Sequence, residues 1–391
     1  MTVAGRQSAE ARQQVFFKQC FKAQGVLLMK WLQFVLVFSP CVYAADDIRQ
    51  ECIGRSVFEV SEPVSWAAFN VGQYRFWVDE SPMFSSGVGG VGDHVHYADD
   101  GLLYKVSFAK TREQFEYARE DWILQSEDYV ENLHRQLKME QKNLKVFSDE
   151  FQGATLDRIK AKVAELQEQL ASAGYREFDI GLPDAFAVGR RSPDQVFLWR
   201  NNRVYYFWFT NRLVRSLEDV KNLMARFEPR DSHQIPKGPG VCVPYGFIHD
   251  DGLATFSIKS SLRFDSTPNV VMSMLTTSAN YRTKRTLAPY ETDDNPSYDD
   301  TLWKKSSIEQ AINLGRHQTV LKGWRLDPLP GSGEEEHTWF ATAAVDGRAR
   351  PLFAVHMQSF PKFTGDLQTL APPPEKVIPK FLKITQSLRD L

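Results

Sequence analysis

The fold is decided in the second half of the chain, where residues 240–252 read GVCVPYGFIHDDG and residues 253–264 read LATFSIKSSLRF. In the second stretch apolar and polar residues alternate from Phe256 to Phe264. A period of two is typical of a β-strand and predicts one buried and one solvated face. The first stretch predicts another strand, which carries Cys242 and ends in an Asp-Gly turn.

Similar patterns of apolar and turn residues occur along the rest of the chain. Further strands are predicted at 51–60, 66–70, 73–79, 102–108, 185–190, 195–200, 203–210, 269–276, 317–325, 337–345 and 351–359. Asn201-Asn202 predicts a tight hairpin between two of these strands. Helical spacing and capping residues predict helices at 111–148, 155–172, 216–228, 306–314 and 375–390.

These elements indicate an α+β protein with mainly antiparallel sheets. The length of 391 residues allows two domains. The best linker is 229–240, PRDSHQIPKGPG, which holds three prolines and two glycines. We expect an N-terminal α+β domain at 46–228, which carries the long helices, and a C-terminal α+β domain at 241–391. Each would be a mainly antiparallel sheet with packed helices.

The N-terminal segment has the form of a secretory signal peptide. A basic residue precedes a short apolar run, Trp31–Phe38, and Val42–Ala44 ends on a small residue. The run is too short for a membrane span, which needs about 20 residues. We expect translation to begin at Met29 and residues 1–45 to be an upstream segment and signal peptide, absent from the exported protein.

Two alternatives remain for this segment. The first is an uncleaved anchor that begins near Gly25. The second is a lipid on Cys41, which Pro40 disfavours because lipidation needs a small residue before the cysteine. Without residues 1–45 the chain has 42 basic and 48 acidic residues. This acidic balance suits a soluble protein and gives no support to a nucleic-acid partner.

Only Cys52 and Cys242 remain after signal cleavage. An even number of cysteines in an oxidising compartment predicts a disulfide. The bridge would close a loop of 190 residues and contribute about 5 kcal/mol in the chain-entropy model. The alternative is two separate buried thiols that act as small apolar side chains.

The sequence offers few candidates for catalysis or metal binding. The glycine-rich stretch 87–92 lacks the preceding strand and following helix of a dinucleotide site. His94 and His96 share a strand face without a further ligand at a fixed spacing. Gly331-Ser332-Gly333 lacks the spacing of a nucleophile elbow. His249-Asp250 could do acid–base work, although a turn explains it equally well. We expect no catalytic residue, metal or cofactor.

Two acidic stretches, 291–300 (ETDDNPSYDD) and 331–336 (GSGEEE), are either solvated loops or a contact surface for a basic or polar partner. In the second interpretation a tyrosine would anchor the contact. The candidate interface residues are Tyr290, Asp293, Asp294, Tyr298, Asp299, Asp300, Glu334 and Glu335.

Short motifs in three places resemble one known family. They are residues 52–55 (CIGR) ahead of Pro63, residues 240–242 (GVC) with 246–248 (GFI), and residues 387–389 (SLR). From about residue 50 to the end, the chain resembles the two-domain periplasmic immunity proteins that neutralise phospholipase effectors of the bacterial type VI secretion system, specifically the fourth lipase class.

The resemblance implies a periplasmic inhibitor that binds a cognate lipase effector and protects the producing cell and its kin. Such a protein needs no catalytic residues and no cofactor. It would be a monomer when free, without a membrane span after signal cleavage, and the bridge from Cys52 to Cys242 would hold its two lobes together. The alternatives are an exported envelope enzyme of unknown class and a periplasmic binding or scaffold protein.

Overall fold

The computed structural model describes residues 49–68, 94–98, 101–148, 153–190, 192–209, 216–279, 297–345, 353–364 and 367–391. The expected signal peptide, the strand predicted at 73–79 and the glycine-rich stretch 87–92 lie outside the described residues.

The described part of the first half contains short strands, two long helices and one shorter helix. The strands before the helices are β1 Arg49–Ile53, β2 Ser56–Val60, β3 Val64–Trp66, β4 His94–Tyr97 and β5 Leu102–Val106. The long helices are α1 Arg112–Phe147 and α2 Ala154–Ser172. They are followed by β6 Arg176–Phe178, β7 Ala185–Gly189, β8 Gln195–Arg200, β9 Arg203–Trp208, α3 Leu217–Arg226 and β10 Phe227–Pro229.

The second half is mostly strand. Its elements are β11 Gly240–Val243, β12 Gly246–His249, β13 Phe256–Phe264, β14 Val270–Thr277, β15 Trp303–Leu314, β16 His317–Pro328, β17 Thr338–Val345, β18 Phe353–Ser359, α4 Pro374–Ser387 and β19 Arg389–Asp390. Within the described part of the chain, no helix combines the length and the apolar character of a membrane span.

Thirteen of the described strands form one antiparallel sheet. Its order is β15-β16-β17-β18-β14-β13-β4-β5-β9-β8-β7-β6, and β3 also pairs with β13. Two smaller sheets have the orders β1-β2-β19 and β10-β12-β11. The α+β class with mainly antiparallel sheets is confirmed. Residues 46–391 form one compact unit, and the domain division at 229–240 stays a prediction.

The main core lies on one face of the large sheet, where α3, α4 and the small sheets pack. Phe264 of β13 contacts Phe381 of α4 with ring centroids 4.8 Å apart, and both side chains are fully buried. Val220 and Leu223 of α3 join the same cluster. Burial of such side chains stabilises the fold by about 1.5–3 kcal/mol each.

Helix α1 rests on the opposite face at the β6–β9 end. Thr111 caps α1 in a capping box with Gln114, which satisfies backbone N–H groups that lack helical partners. Phe115 of α1 packs on Phe186, 5.5 Å between centroids, and Phe186 stacks on Phe197. Farther along, α1 packs against α2.

Two local predictions are wrong. Residues 306–314 belong to strand β15 and are not helical, because β15 pairs with β16 along twelve residues and this pairing overrides the short helical spacing. The polar face of β13 is buried, not solvated. There Ser261 Oγ and Ser273 Oγ are hydrogen-bonded across the strands at 2.7 Å. The Asn201-Asn202 hairpin is confirmed, with both residues at positive φ.

Candidate partner-binding surface

Cys52 of β1 and Cys242 of β11 form a disulfide with Cα atoms 5.7 Å apart. Both cysteines are fully buried. Beside them, Gly54 and Cys242 are joined by a backbone bridge. Leu391 N also donates to Arg55 O at 3.0 Å. The predicted pairing is therefore present, and it ties the first described strand to a strand beyond the predicted linker.

A buried ion pair lies next to the disulfide, and sequence reasoning missed it. Arg230 Nη1 donates to Glu51 Oε2 at 2.9 Å, and the two side chains are 1% and 0% exposed. Trp66 Nε1 and His233 N also donate to the Glu51 carboxylate, at 3.2 and 2.7 Å. The carboxylate is thus held by three donors, and the segment predicted as a linker is fixed to β1.

The two acidic stretches leave the same end of one β-ribbon. Strands β15 and β16 pair from Leu314 with His317 at the turn to Trp303 with Pro328 at the far end. One step farther, Leu329 N donates to Leu302 O at 2.9 Å. The chain continues in both directions from this point into the predicted acidic residues. The structure therefore brings together the described parts of both stretches.

The side chains at this end are exposed. Tyr298 is 39% exposed, and Asp300, Glu334 and Glu335 are also exposed. Asp299 is exposed as well. Its Oδ1 also accepts hydrogen bonds from Thr301 Oγ1 at 2.6 Å and from Thr301 N at 2.9 Å. These bonds lower the pKa of Asp299 below its usual range. Tyr290, Asp293 and Asp294 lie outside the described residues.

Charged groups near this end also hold the loops in place. Glu336 Oε1 accepts from Lys362 N at 2.5 Å and from Ala371 N at 3.3 Å. His337 and Arg325 both bond the Asp327 carboxylate, at 3.0 and 2.6 Å. Partial burial alone would raise the pKa of Asp327, but these two partners lower it overall. Glu336 and Asp327 therefore support the surface and do not extend it.

A separate cleft of about 630 Å³ contains His249 and Asp250. Asp250 Oδ2 accepts from Arg55 Nη2 at 3.0 Å and from Tyr97 OH at 3.3 Å. Arg226 Nη1 donates to Tyr97 OH at 3.1 Å and to the backbone oxygen of His249 at 2.8 Å. Burial is the main reason that the pKa of Tyr97 is raised. The charged groups that line the cleft are therefore bonded to one another and to Tyr97.

The histidines considered for metal binding lie together on β4. The rings of His94 and His96 are 5.0 Å apart, and His94 Nε2 is 3.4 Å from Ser257 Oγ. Among the residues that the structure describes, no group of three or more His, Cys, Asp or Glu side chains could hold a metal ion. The expectation of no metal stays a prediction.

Residues 234–389 match the family model of the Tle cognate immunity protein 4 C-terminal domain (Tli4_C). The resemblance inferred from the sequence is confirmed for this part of the chain, which we call the immunity-family region. No curated protein matches the sequence.

Solved structures of immunity proteins share a low similarity with the chain. The immunity protein TplEi of the type VI secretion system from Pseudomonas aeruginosa, complexed with "L" peptide, is 10% identical, with a TM-score of 0.43 over 88% of this chain and 98% of that chain. The Tle4-Tli4 complex gives 12% identity and a TM-score of 0.42 over 88% and 97%.

The immunity-family region contains both described acidic stretches and Cys242. Cys52, the Glu51–Arg230 pair and the helices α1 and α2 lie outside it. The disulfide therefore joins the region to the preceding part of the chain. The acidic end of the β15–β16 ribbon is the candidate partner-binding surface within it.

Proposed function

We propose that this protein is an immunity protein that binds and inhibits a type VI secretion lipase effector of the fourth class in the periplasm. The match of residues 234–389 to the Tle cognate immunity domain carries this proposal. Export through the N-terminal signal peptide would place the inhibitor where an injected lipase arrives, and the proposal includes cleavage of that peptide.

An inhibitor of this kind needs a preformed surface of about 800 Å² or more per partner. Rigidity limits the entropy lost on binding. The disulfide, the buried Glu51–Arg230 pair and the thirteen-stranded sheet all restrict motion within the compact unit. These features support a preformed binding protein.

The acidic end of the β15–β16 ribbon is proposed to contact a basic surface of the effector. It presents exposed carboxylates of Asp300, Glu334 and Glu335 beside the half-exposed ring of Tyr298. Complementary charges speed association, and a tyrosine supplies contact area with a small loss of conformational entropy. Tyr290, Asp293 and Asp294 belong to the same proposed surface through their position in the sequence.

We further propose that the chain has no catalytic activity of its own. The two acid–base candidates hold the fold, because Asp250 accepts from Arg55 and Tyr97 and His249 Nε2 lies 2.8 Å from Glu228 Oε2. These contacts explain both side chains without a reaction.

Co-expression tests the proposed function. The lipase encoded beside this gene is exported to the periplasm of a sensitive host, with or without the full chain. Survival only in the presence of the chain is the expected result. A lipase with its nucleophile replaced controls for toxicity that does not depend on lipid hydrolysis. Cell death with both proteins present, while the chain accumulates in the periplasm, would contradict the proposal.

A further inference from the structure

Helix α1 exposes large apolar side chains on the face that points away from its packing partners. Tyr117, Leu124, Met139 and Val146 are 63%, 57%, 56% and 48% exposed. On a helix that turns about 100° per residue, these four positions fall within an arc of about 60°. Buried Leu133 lies on the opposite side. We call this face the outer stripe; its members are Tyr117, Asp121, Leu124, Asp128, Arg135, Met139, Lys142 and Val146.

The charges of α1 are segregated along its length. Residues 112–131 hold seven acidic and two basic residues, whereas residues 132–147 hold one acidic and four basic residues. Asp128 and Arg135 are exposed, and neither forms an ion pair within the described part of the chain. A helix with one acidic and one basic half is complementary to the same helix running in the opposite direction.

We propose that the outer stripe of α1 pairs antiparallel with the outer stripe of a second copy of this chain. A two-fold axis between Glu131 and Asn132 relates positions that are equally far from it in the sequence. Leu124 then faces Met139 of the second copy, and Tyr117 faces Val146. The exposed apolar residues of one helix thus cover those of the other.

The same register brings opposite charges together along the whole stripe. Asp121 faces Lys142 and Asp128 faces Arg135, at equal distances from the axis. On one flank of the stripe, Glu120 lies near Lys145 and Glu127 near Lys138, each pair offset by two residues from the exact register. Two-fold symmetry makes each pair occur twice. A parallel arrangement would instead place acidic against acidic halves. The charge pattern therefore selects both the partner and its direction.

The stripe from Tyr117 to Val146 is about 44 Å long, at 1.5 Å per residue. Packing of apolar side chains along such a seam, flanked by ion pairs, is how two-stranded helical assemblies associate. In the large sheet, β15 and β16 lie at the opposite end of the strand order from β6–β9, on which α1 rests. The proposed contact on α1 is therefore separate from the acidic end of the β15–β16 ribbon. The free chain would then be a dimer and not the expected monomer. Dimer formation does not depend on binding of the effector.

Charge reversal tests the pairing in the full chain. Analytical ultracentrifugation is expected to show a dimer for the unaltered chain. The variant Glu127→Lys/Asp128→Arg should dimerise at least about tenfold more weakly, a loss of about 1.4 kcal/mol. Adding Arg135→Asp/Lys138→Glu reverses both halves and should restore the dimer. Glu165→Lys/Glu168→Lys, on α2, makes the same change in net charge; it is the matched control and should leave the dimer unchanged.

Register is tested by cysteine pairing. Leu124→Cys and Met139→Cys chains are purified separately, mixed and oxidised. A disulfide-linked dimer is expected in the mixture and absent from either variant alone, because each position faces only the other across the axis. Linkage of either variant to itself, without linkage in the mixture, would overturn the proposed register.

The result that overturns the proposal is a monomer at concentrations up to about 100 µM, which sets the dissociation constant above that value. A dimer that survives the charge reversal would overturn it equally. If the chain is monomeric and sediments with anionic phospholipid vesicles, the basic half of α1 binds a lipid surface and not a second copy of the chain. Far-ultraviolet circular dichroism of each variant confirms that α1 remains folded.

Discussion

Gly54 and Cys242 exchange two backbone hydrogen bonds, with N···O distances of 2.9 and 2.7 Å. Gly54 adopts a φ of +59° there, and a Cβ at this position would lie 2.8 Å from Phe256 and Thr276. Only glycine fits this conformation and this space without strain. These two hydrogen bonds join Gly54, the residue that follows β1, to β11 directly beside the disulfide.

Removal of the disulfide should lower the free energy of unfolding by up to about 5 kcal/mol, because the bridge closes a long loop in the unfolded chain. Urea titration of the oxidised chain and of the Cys52→Ala/Cys242→Ala variant measures the difference. Reductant should destabilise the unaltered chain and leave the double variant unchanged. Equal stability of the oxidised chain and the double variant would show that the bridge contributes nothing.

Loss of one partner of the buried ion pair should lower the free energy of unfolding much more than loss of both partners. Arg230→Met leaves the Glu51 carboxylate buried without its charged partner and should cost about 3–5 kcal/mol. Glu51→Gln/Arg230→Met should cost less. The exposed Arg316→Met change is the control and should stay within about 0.5 kcal/mol. A double variant as unstable as Arg230→Met alone would contradict this account.

His356 should make stability depend on pH. Burial, with a smaller effect from Lys259, lowers the pKa of His356 to about 3. The unfolded chain therefore takes up a proton that the folded chain rejects, at pH values between this pKa and the ordinary pKa of about 6.5. Stability should rise with pH across this window, by up to about 1.4 kcal/mol per unit, and level off above it.

Urea unfolding at about pH 4.5 and about pH 7, in the unaltered chain and in His356→Gln, measures this effect. The variant should lose part of the pH dependence. An identical pH dependence in both proteins would show that another group is responsible.

The acidic end of the ribbon should govern association with the effector. Glu334→Lys/Glu335→Lys should lower the association rate constant several-fold at low salt, with a smaller effect at high salt. Surface plasmon resonance against the lipase measures the rate. Glu165→Lys/Glu168→Lys makes the same charge change on α2. An effect of equal size in both variants would assign it to net charge and not to this surface.

Sequence patterns predicted the elements with strong local signals. The long helices followed from helical spacing, and the disulfide followed from cysteine number and compartment. Pairing between distant strands was harder to foresee. It turned residues 306–314 into a strand, because a short apolar spacing cannot compete with a twelve-residue ladder.

The contacts of the site depended still more on tertiary structure. Arg230 lies in a segment whose prolines and glycines indicate a linker, and nothing in the local sequence shows that it is buried against Glu51. Convergence of the two acidic stretches results from the length of β15 and β16, which no motif encodes.

Inhibition of the lipase by the purified chain is the decisive test of the proposed immunity function. Phospholipid hydrolysis by a fixed amount of lipase is measured while the chain is added. Activity should fall linearly and be abolished near one chain per lipase, as for a tight stoichiometric inhibitor. Undiminished hydrolysis at a large excess of folded, disulfide-bonded chain would contradict this function.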